Sequence, residues 1–207
     1  TSIGFQAGYN NQQLNAVAIG YTAGYTNQGQ NATAIGNLAG KVNQAIYGTA
    51  IGGFAGSNDQ GQSATSVGYQ SGRYHQGTNA VAIGVNAGFT GQGLNTVAIG
   101  SGAGQTNQGQ NACSLGYQAG CDTQGDATVA VGTYSGQTNQ GKYGCAIGYQ
   151  AGTGYQGTQA IALGFQAGQT DQGSSAIAIG FQAGKTDQGS SAIAIGQNAG
   201  QNNQQSN

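Results

Sequence analysis

Ala176-Ile177-Ala178-Ile179-Gly180 is the stretch on which the fold turns. Small and β-branched residues alternate along it with period 2, as in a strand that has two unlike faces. The pattern returns sixteen residues later as Ala192-Ile193-Ala194-Ile195-Gly196 and sixteen earlier as Ala160-Ile161-Ala162-Leu163-Gly164. Followed outward, the aliphatic-Gly pair stands at Ile3, Ile19, Ile35, Ile51, Val67, Ile83, Ile99, Leu115, Val131, Ile147, Leu163, Ile179 and Ile195, with no residue inserted or lost between copies. Counted from that aliphatic as position 1, the unit reads I-G-x-x-A-G-x-T-x-Q-G-x-x-A-x-A. Positions 2 and 6 are always Gly and position 10 is always Gln.

A strict period without insertions means that every copy makes the same step in space, which is the logic of a solenoid. Three glycines in each unit would cost a helix about 1 kcal/mol each relative to Ala, and no apolar run follows a 3.6-residue period, so the step is extended. Two strands of about five residues and two glycine-bearing turns of about three would fill sixteen positions, whereas a three-sided coil needs about eighteen. The expected fold is therefore all-β: a parallel β-solenoid, a two-sided β-roll of about thirteen coils, with residues 1–207 forming a single repeat domain. At a strand spacing of about 4.8 Å thirteen coils would extend about 60 Å.

Composition narrows the function. Only 4% of the residues are charged and the net charge is -1. No cluster of Lys or Arg is present to displace the counterions around phosphates, so a nucleic-acid partner is excluded. One His, five Asp and no Glu are scattered along the chain, too thinly for most metal or acid-base chemistry. No apolar run reaches the ~18 residues of a membrane helix, and no membrane contact is expected within this segment. Large aliphatic residues and Phe number 31 of 207, fewer than most folded domains carry. Disorder would also call for a high net charge, so regular stacking must compensate for a thin core.

Along the first strand, positions 15 and 1 share one face; positions 14, 16 and 2, nearly all Ala, Ser and Gly, share the other. Two steric demands imply two neighbours: the second strand of the same roll for the small face, something larger for the branched one. One buried Ile contributes about 1.5–3 kcal/mol, against about 1–2 kcal/mol for each backbone fixed. A lone roll is thus poorly supported, and oligomerisation is the expected remedy. The column Ile19, Ile35, Ile51, Val67, Ile83, Ile99, Leu115, Val131, Ile147, Leu163, Ile179 and Ile195 is expected to build the core or the axis of the oligomer. The Gln column (Gln12, Gln28, Gln44, Gln60, Gln76, Gln92, Gln108, Gln124, Gln140, Gln156, Gln172, Gln188 and Gln204) is expected to stack as an amide ladder. A partial aromatic column at position 3, including Phe5, Tyr21, Tyr69, Tyr117, Tyr149, Phe165 and Phe181, is expected to pack in the same way.

The strings Ala16-Val17-Ala18-Ile19-Gly20, Ala80-Val81-Ala82-Ile83-Gly84 and Ala192-Ile193-Ala194-Ile195-Gly196 resemble the YadA-like head repeats of trimeric autotransporter adhesins. That resemblance runs through essentially the whole chain. It implies a left-handed β-roll, three chains around one axis, and a surface-exposed extracellular homotrimer that sticks to a host-surface protein or glycan. The family repeat is usually shorter, the extra residues here falling in the T-x-Q-G turn. Longer repeats of this kind also resemble those of viral and phage fibres, so the surface is that of a cell or a virion. The chain opens inside a unit at Thr1-Ser2-Ile3 and stops in the polar Gln201–Asn207. It reads as the shaft or head of a longer fibre, with its caps elsewhere.

Other classes fare worse. Asp59, Asp171, Asp187 and His75 occupy position 9, where other copies carry Asn, and read as turn residues. No nucleophile has a base beside it, so the chain is not expected to be an enzyme, and no cofactor or metal is expected. Cys113 and Cys145 share position 15 two coils apart, about 9.6 Å at the strand spacing, beyond disulfide reach. The alternative from a different class is a monomeric ice-binding, or antifreeze, β-solenoid, since position 8 carries Thr26, Thr90, Thr106, Thr138, Thr170 and Thr186. Val42, Asn58, Tyr74, Asp122 and Gly154 interrupt that row. Lys41, Tyr47, Lys142 and Tyr143 are the candidate ligand contacts, being basic or aromatic residues near turns in two divergent copies.

Overall fold

The computed structural model describes residues 1–206; Asn207, the last residue of the polar terminus, lies outside the described residues. The chain is a parallel β-solenoid with a sixteen-residue repeat, and no helix occurs among the described residues. It divides into two compact units, Thr1–Thr106 and Asn107–Asn207.

In the first unit the strands Ser2–Ile3, Val17–Ile19, Thr33–Ile35, Thr49–Ile51, Thr65–Val67, Val81–Ile83 and Val97–Ile99 pair in that order, all parallel, each residue facing the one sixteen further on. A second sheet is made by Asn10–Gln12, Thr26–Gln28, Val42–Gln44, Asn58–Gln60, Tyr74–Gln76 and Thr90–Gln92 in the same register. The second unit repeats the plan. Cys113–Leu115, Val129–Val131, Cys145–Ile147, Ile161–Leu163, Ile177–Ile179 and Ile193–Ile195 form its first sheet. Asp122–Gln124 pairs with Thr138–Gln140, and Thr170–Gln172 with Thr186–Gln188, in its second.

The strands are three residues long instead of the expected five, and the turns correspondingly longer, positions 2–7 and 11–14. Left-handed backbone explains this. Non-glycine residues at positions 4, 9 and 13 adopt φ near +55°, as at Leu38 (+58°), Asn43 (+54°) and Asn31 (+57°), and each such residue ends the extended run. Those at positions 4 and 13 fall third in turns closed by Ala39 N–H to Gly36 O and Ala32 N–H to Gly29 O, where a type II turn needs positive φ. Asn is enriched at positions 9 and 13 because its short amide tolerates this conformation best among residues with a Cβ. In the second sheet the left-handed residue sits mid-strand, so pairing registers at positions 8 and 10 and skips 9.

Turns stack as the strands do. Gly36 N–H donates back to Ile19 O at 2.7 Å, while Gly40 N–H donates forward to Ala55 O at 2.9 Å. Gly36 has φ +127°, and a Cβ there would lie 2.7 Å from the Gly52 carbonyl oxygen of the next coil. No side chain fits such an approach, which accounts for the invariance of position 2. The interior is correspondingly narrow: Ala at positions 5, 14 and 16, with Gln at position 10, fills it, as in the cluster Ala18, Ala23, Ala34, Ala39, Ala50 and Ala55.

Candidate functional site

The glutamines form the most regular polar array in the molecule. Gln28, Gln44, Gln60, Gln76, Gln92, Gln108, Gln124, Gln140, Gln156, Gln172 and Gln188 are buried, while Gln12 and Gln204 are partly exposed. Position 9 turns the strand so that position 10 points inward. In the first unit the Nε2 of Gln12, Gln28, Gln44 and Gln60 each donates to the Oε1 of the next glutamine at 3.0–3.1 Å. Gln156, Gln172 and Gln188 do the same in the second unit at 3.0–3.2 Å. Each amide also ties its own coil together. Gln44 Nε2 reaches Thr33 O at 2.8 Å and Gly48 O at 3.1 Å, the latter a carbonyl that also accepts the Thr33 N–H at 2.8 Å. Where Ser replaces interior Ala it joins the ladder, as Ser66 Oγ does in donating to Gln76 Oε1 at 2.7 Å.

The aliphatic column lies elsewhere. Positions 1 and 15 project from the outer face of the first sheet. Ile51, Ile83, Leu115 and Ile147 are 37–43% exposed, and Ile19, Ile35, Val67, Ile99, Val131, Leu163 and Ile179 are half-buried against their neighbours in the column, while Ile195 is more open. None of them enters the interior of its own coil. The correction to the expected core is thus in volume: between sheets so close, alanine is the largest apolar side chain that fits. Each unit is left with an apolar outer sheet face, a feature that marks interaction surfaces. Cys113 and Cys145 lie on this face, and these two and Cys121 are thiols, joined by no disulfide among the described residues. Burial pushes the three thiols above their usual range, Asp122 adding to the effect at Cys121.

Aromatic side chains stack at the rung spacing, Tyr149 on Phe165 with centroids 5.2 Å apart and Phe165 on Phe181 at 5.1 Å, planes within 15°. Their faces are turned to one another, so these rings pack as expected and the faces between them are closed to a sugar. Arg73 is wedged among Phe54, Tyr74 and Phe89, its Cζ 4.7, 4.8 and 5.8 Å from the three ring centroids.

In the first unit Lys41, at position 7, and Tyr47, at position 13, lie on opposite turns and do not meet; in the second Lys142 and Tyr143 are adjacent at positions 12 and 13, and both tyrosines are well exposed. Lys142 Nζ is bound to Asp126 at 2.9 Å. That contact, first as a hydrogen bond, holds the Asp126 carboxyl below its ordinary range and the ammonium above its own. The pair is complete at neutral pH and is lost as pH falls through the lowered carboxyl value. Position 9 carries a feature that reading the repeat as turn residues missed, an outer ladder in which Asn11, Asn27 and Asn43 each donate to the next residue of the column, ending on Asp59. His75 Nε2 meets the far oxygen of Asp59 at 3.5 Å. The Asn enrichment of that column was its visible signal.

Fold and polar array together define a parallel β-solenoid with an alanine-lined, glutamine-laddered interior and an apolar outer sheet. No family model, curated protein or solved structure matches the chain.

Proposed function

We propose that this chain is a structural and adhesive segment of an extracellular fibre, the shaft or head of a homotrimer on a cell or virion surface, wound as a left-handed roll. The observation that carries the reading is the outer aliphatic face, repeated from coil to coil with no partner among the described residues. A regular array of Ile, Val and Thr on a parallel sheet suits association with copies of itself, because each copy offers the same spacing of about 4.8 Å. The near absence of charge favours close approach of identical chains, which would otherwise repel. In this reading stiffness is the main physical output, supplied by the amide ladder, and attachment is to a host-surface protein or glycan.

Mass in solution tests the association directly. Three times 20.4 kDa, about 61 kDa, is expected. A species of 20.4 kDa that depresses the freezing point of ice would favour the ice-binding alternative, whose Thr row at position 8 lies partly exposed on the second sheet. A species of 20.4 kDa without that effect would remove the trimer.

A further inference from the structure

In the first unit a cleft of about 270 Å³ is lined by Gln6, Tyr21, Thr22, Tyr25, Leu38 and Lys41. Its origin lies in the register of the repeat. Tyr21 stacks on Phe5 at 5.5 Å and Tyr25 on Tyr9 at 5.4 Å. The next residues in those two columns are Asn37 and Lys41, so neither stack continues. Two tyrosine faces are thereby left without a covering ring at the same level, and the cleft forms where they end.

Two features of its lining fit a ligand better than they fit packing. Thr22 is 6% exposed, and its Oγ1 has no hydrogen-bond partner. A buried hydroxyl is normally satisfied. Its φ of +47° is that of the whole column and comes with the turn. Lys41, unlike Lys142, has no carboxylate within ion-pair distance among the described residues. The volume is that of one sugar ring or a group of similar size, below the range of drug-sized pockets.

We infer that this cleft binds an anionic monosaccharide unit, a pyranose bearing a carboxylate. The apolar face of the ring would lie on an uncovered tyrosine, a use of amphipathic aromatic surface general to recognition. Its carboxylate would pair with the Lys41 ammonium. Ring hydroxyls would meet the Gln6 amide and, after rotation about χ1, the Thr22 hydroxyl. The inference rests on the adhesive reading for its setting and needs no trimer, since every lining residue belongs to one chain.

The chain has three lysines, Lys41, Lys142 and Lys185, so the 207-residue chain labelled with ¹³C and ¹⁵N at lysine carries its own controls. Glucuronate titrated into it should shift the Lys41 signal saturably and leave those of Lys142 and Lys185 in place. Glucose should bind at least fivefold more weakly. Lys41→Met should raise the glucuronate Kd at least tenfold, with an unchanged far-ultraviolet spectrum showing that the coil is intact. Thr22→Val, which keeps the shape and removes the hydroxyl, should weaken glucuronate and glucose alike. Equal shifts with acetate would reduce the site to an adventitious ion only, and equal affinity for benzoate would make the ligand an aryl carboxylate. Either result, or no shift of Lys41, overturns the proposal. All these readouts stand apart from the mass measurement, which tests the fibre reading alone.

Discussion

A glutamine is an unusual residue on which to build an interior, and its value here follows from how many bonds one amide makes. At position 10 it adds a bond to carbonyls that, as at Gly48, already accept a backbone N–H, while passing a bond to the next rung. Gln44→Leu keeps the volume, leaves Gln60 Oε1 without its donor and takes an acceptor from Gln28 Nε2. At roughly 1–3 kcal/mol for each buried polar group left without a partner, it should lower stability by about 3 kcal/mol, read as a fall in the thermal midpoint. Gln44→Glu separates the chemistry from the shape. A buried carboxyl facing carbonyl oxygens is favoured in its protonated form, so its folded pKa rises above the unfolded value of about 4.3. Stability of that variant should be closest to the parent below about pH 4 and should fall as pH rises from there. A flat profile would show that the side chain is not held among those acceptors.

At the scale of the coil, one copy departs from the rest. Gly154-Tyr155 replaces the Thr-Asn type pair, the second strand shrinks to isolated bridges at Gln156, and Gln156 Oε1 is left without a partner. Tyr155 is not left-handed as other residues of its column are. A Cβ at Gly154 would meet only ordinary contacts, 3.4 Å from Gln169 O at the closest. The double change Gly154→Thr with Tyr155→Asn should restore the strand and the missing amide bond, raising stability by about 1 kcal/mol; no gain in thermal midpoint would mean that the irregularity lies elsewhere. The outer sheet gives a second test at this scale. Ile83 is 37% exposed, so Ile83→Asp should leave the far-ultraviolet spectrum of the coil unchanged while abolishing the species near 61 kDa. Retention of that mass would place the association on another face. The repeat and the faces of the first strand could be read from sequence, because Ala-Ile-Ala-Ile alternation and an invariant Gly have single physical readings. Strand length could not. Positions 4 and 13 hold Gln, Leu, Phe, Tyr, Ser and Asn in turn, so side-chain identity gave little sign of a shared positive φ.

For the molecule as a whole, the low content of large apolar residues and the ordered backbone are reconciled by what replaces a conventional core. Alanine burial, stacked carbonyl and amide groups in turns as well as strands, and the internal ladder share the role that large side chains have elsewhere. Sequence could stack the glutamines as a ladder from their invariance in all thirteen copies, without deciding between the interior and a turn. It turned the small face inward and the aliphatic column toward a larger neighbour, as the structure has them, and left open whether that column formed a core or the axis of an oligomer; the distance between the sheets removes the first of these. No motif disclosed the cleft beside Lys41, which arises where two aromatic columns stop at the same level. All of these statements require that residue n lie beside residue n+16. Nuclear Overhauser contacts between backbone amides measure that relation most directly. Ala34 to Ala50 in the first unit and Ala162 to Ala178 in the second should appear, accompanied by side-chain amide contacts from Gln44 to Gln60. Their absence, or a set of contacts at spacings of three and four residues, would contradict the solenoid itself.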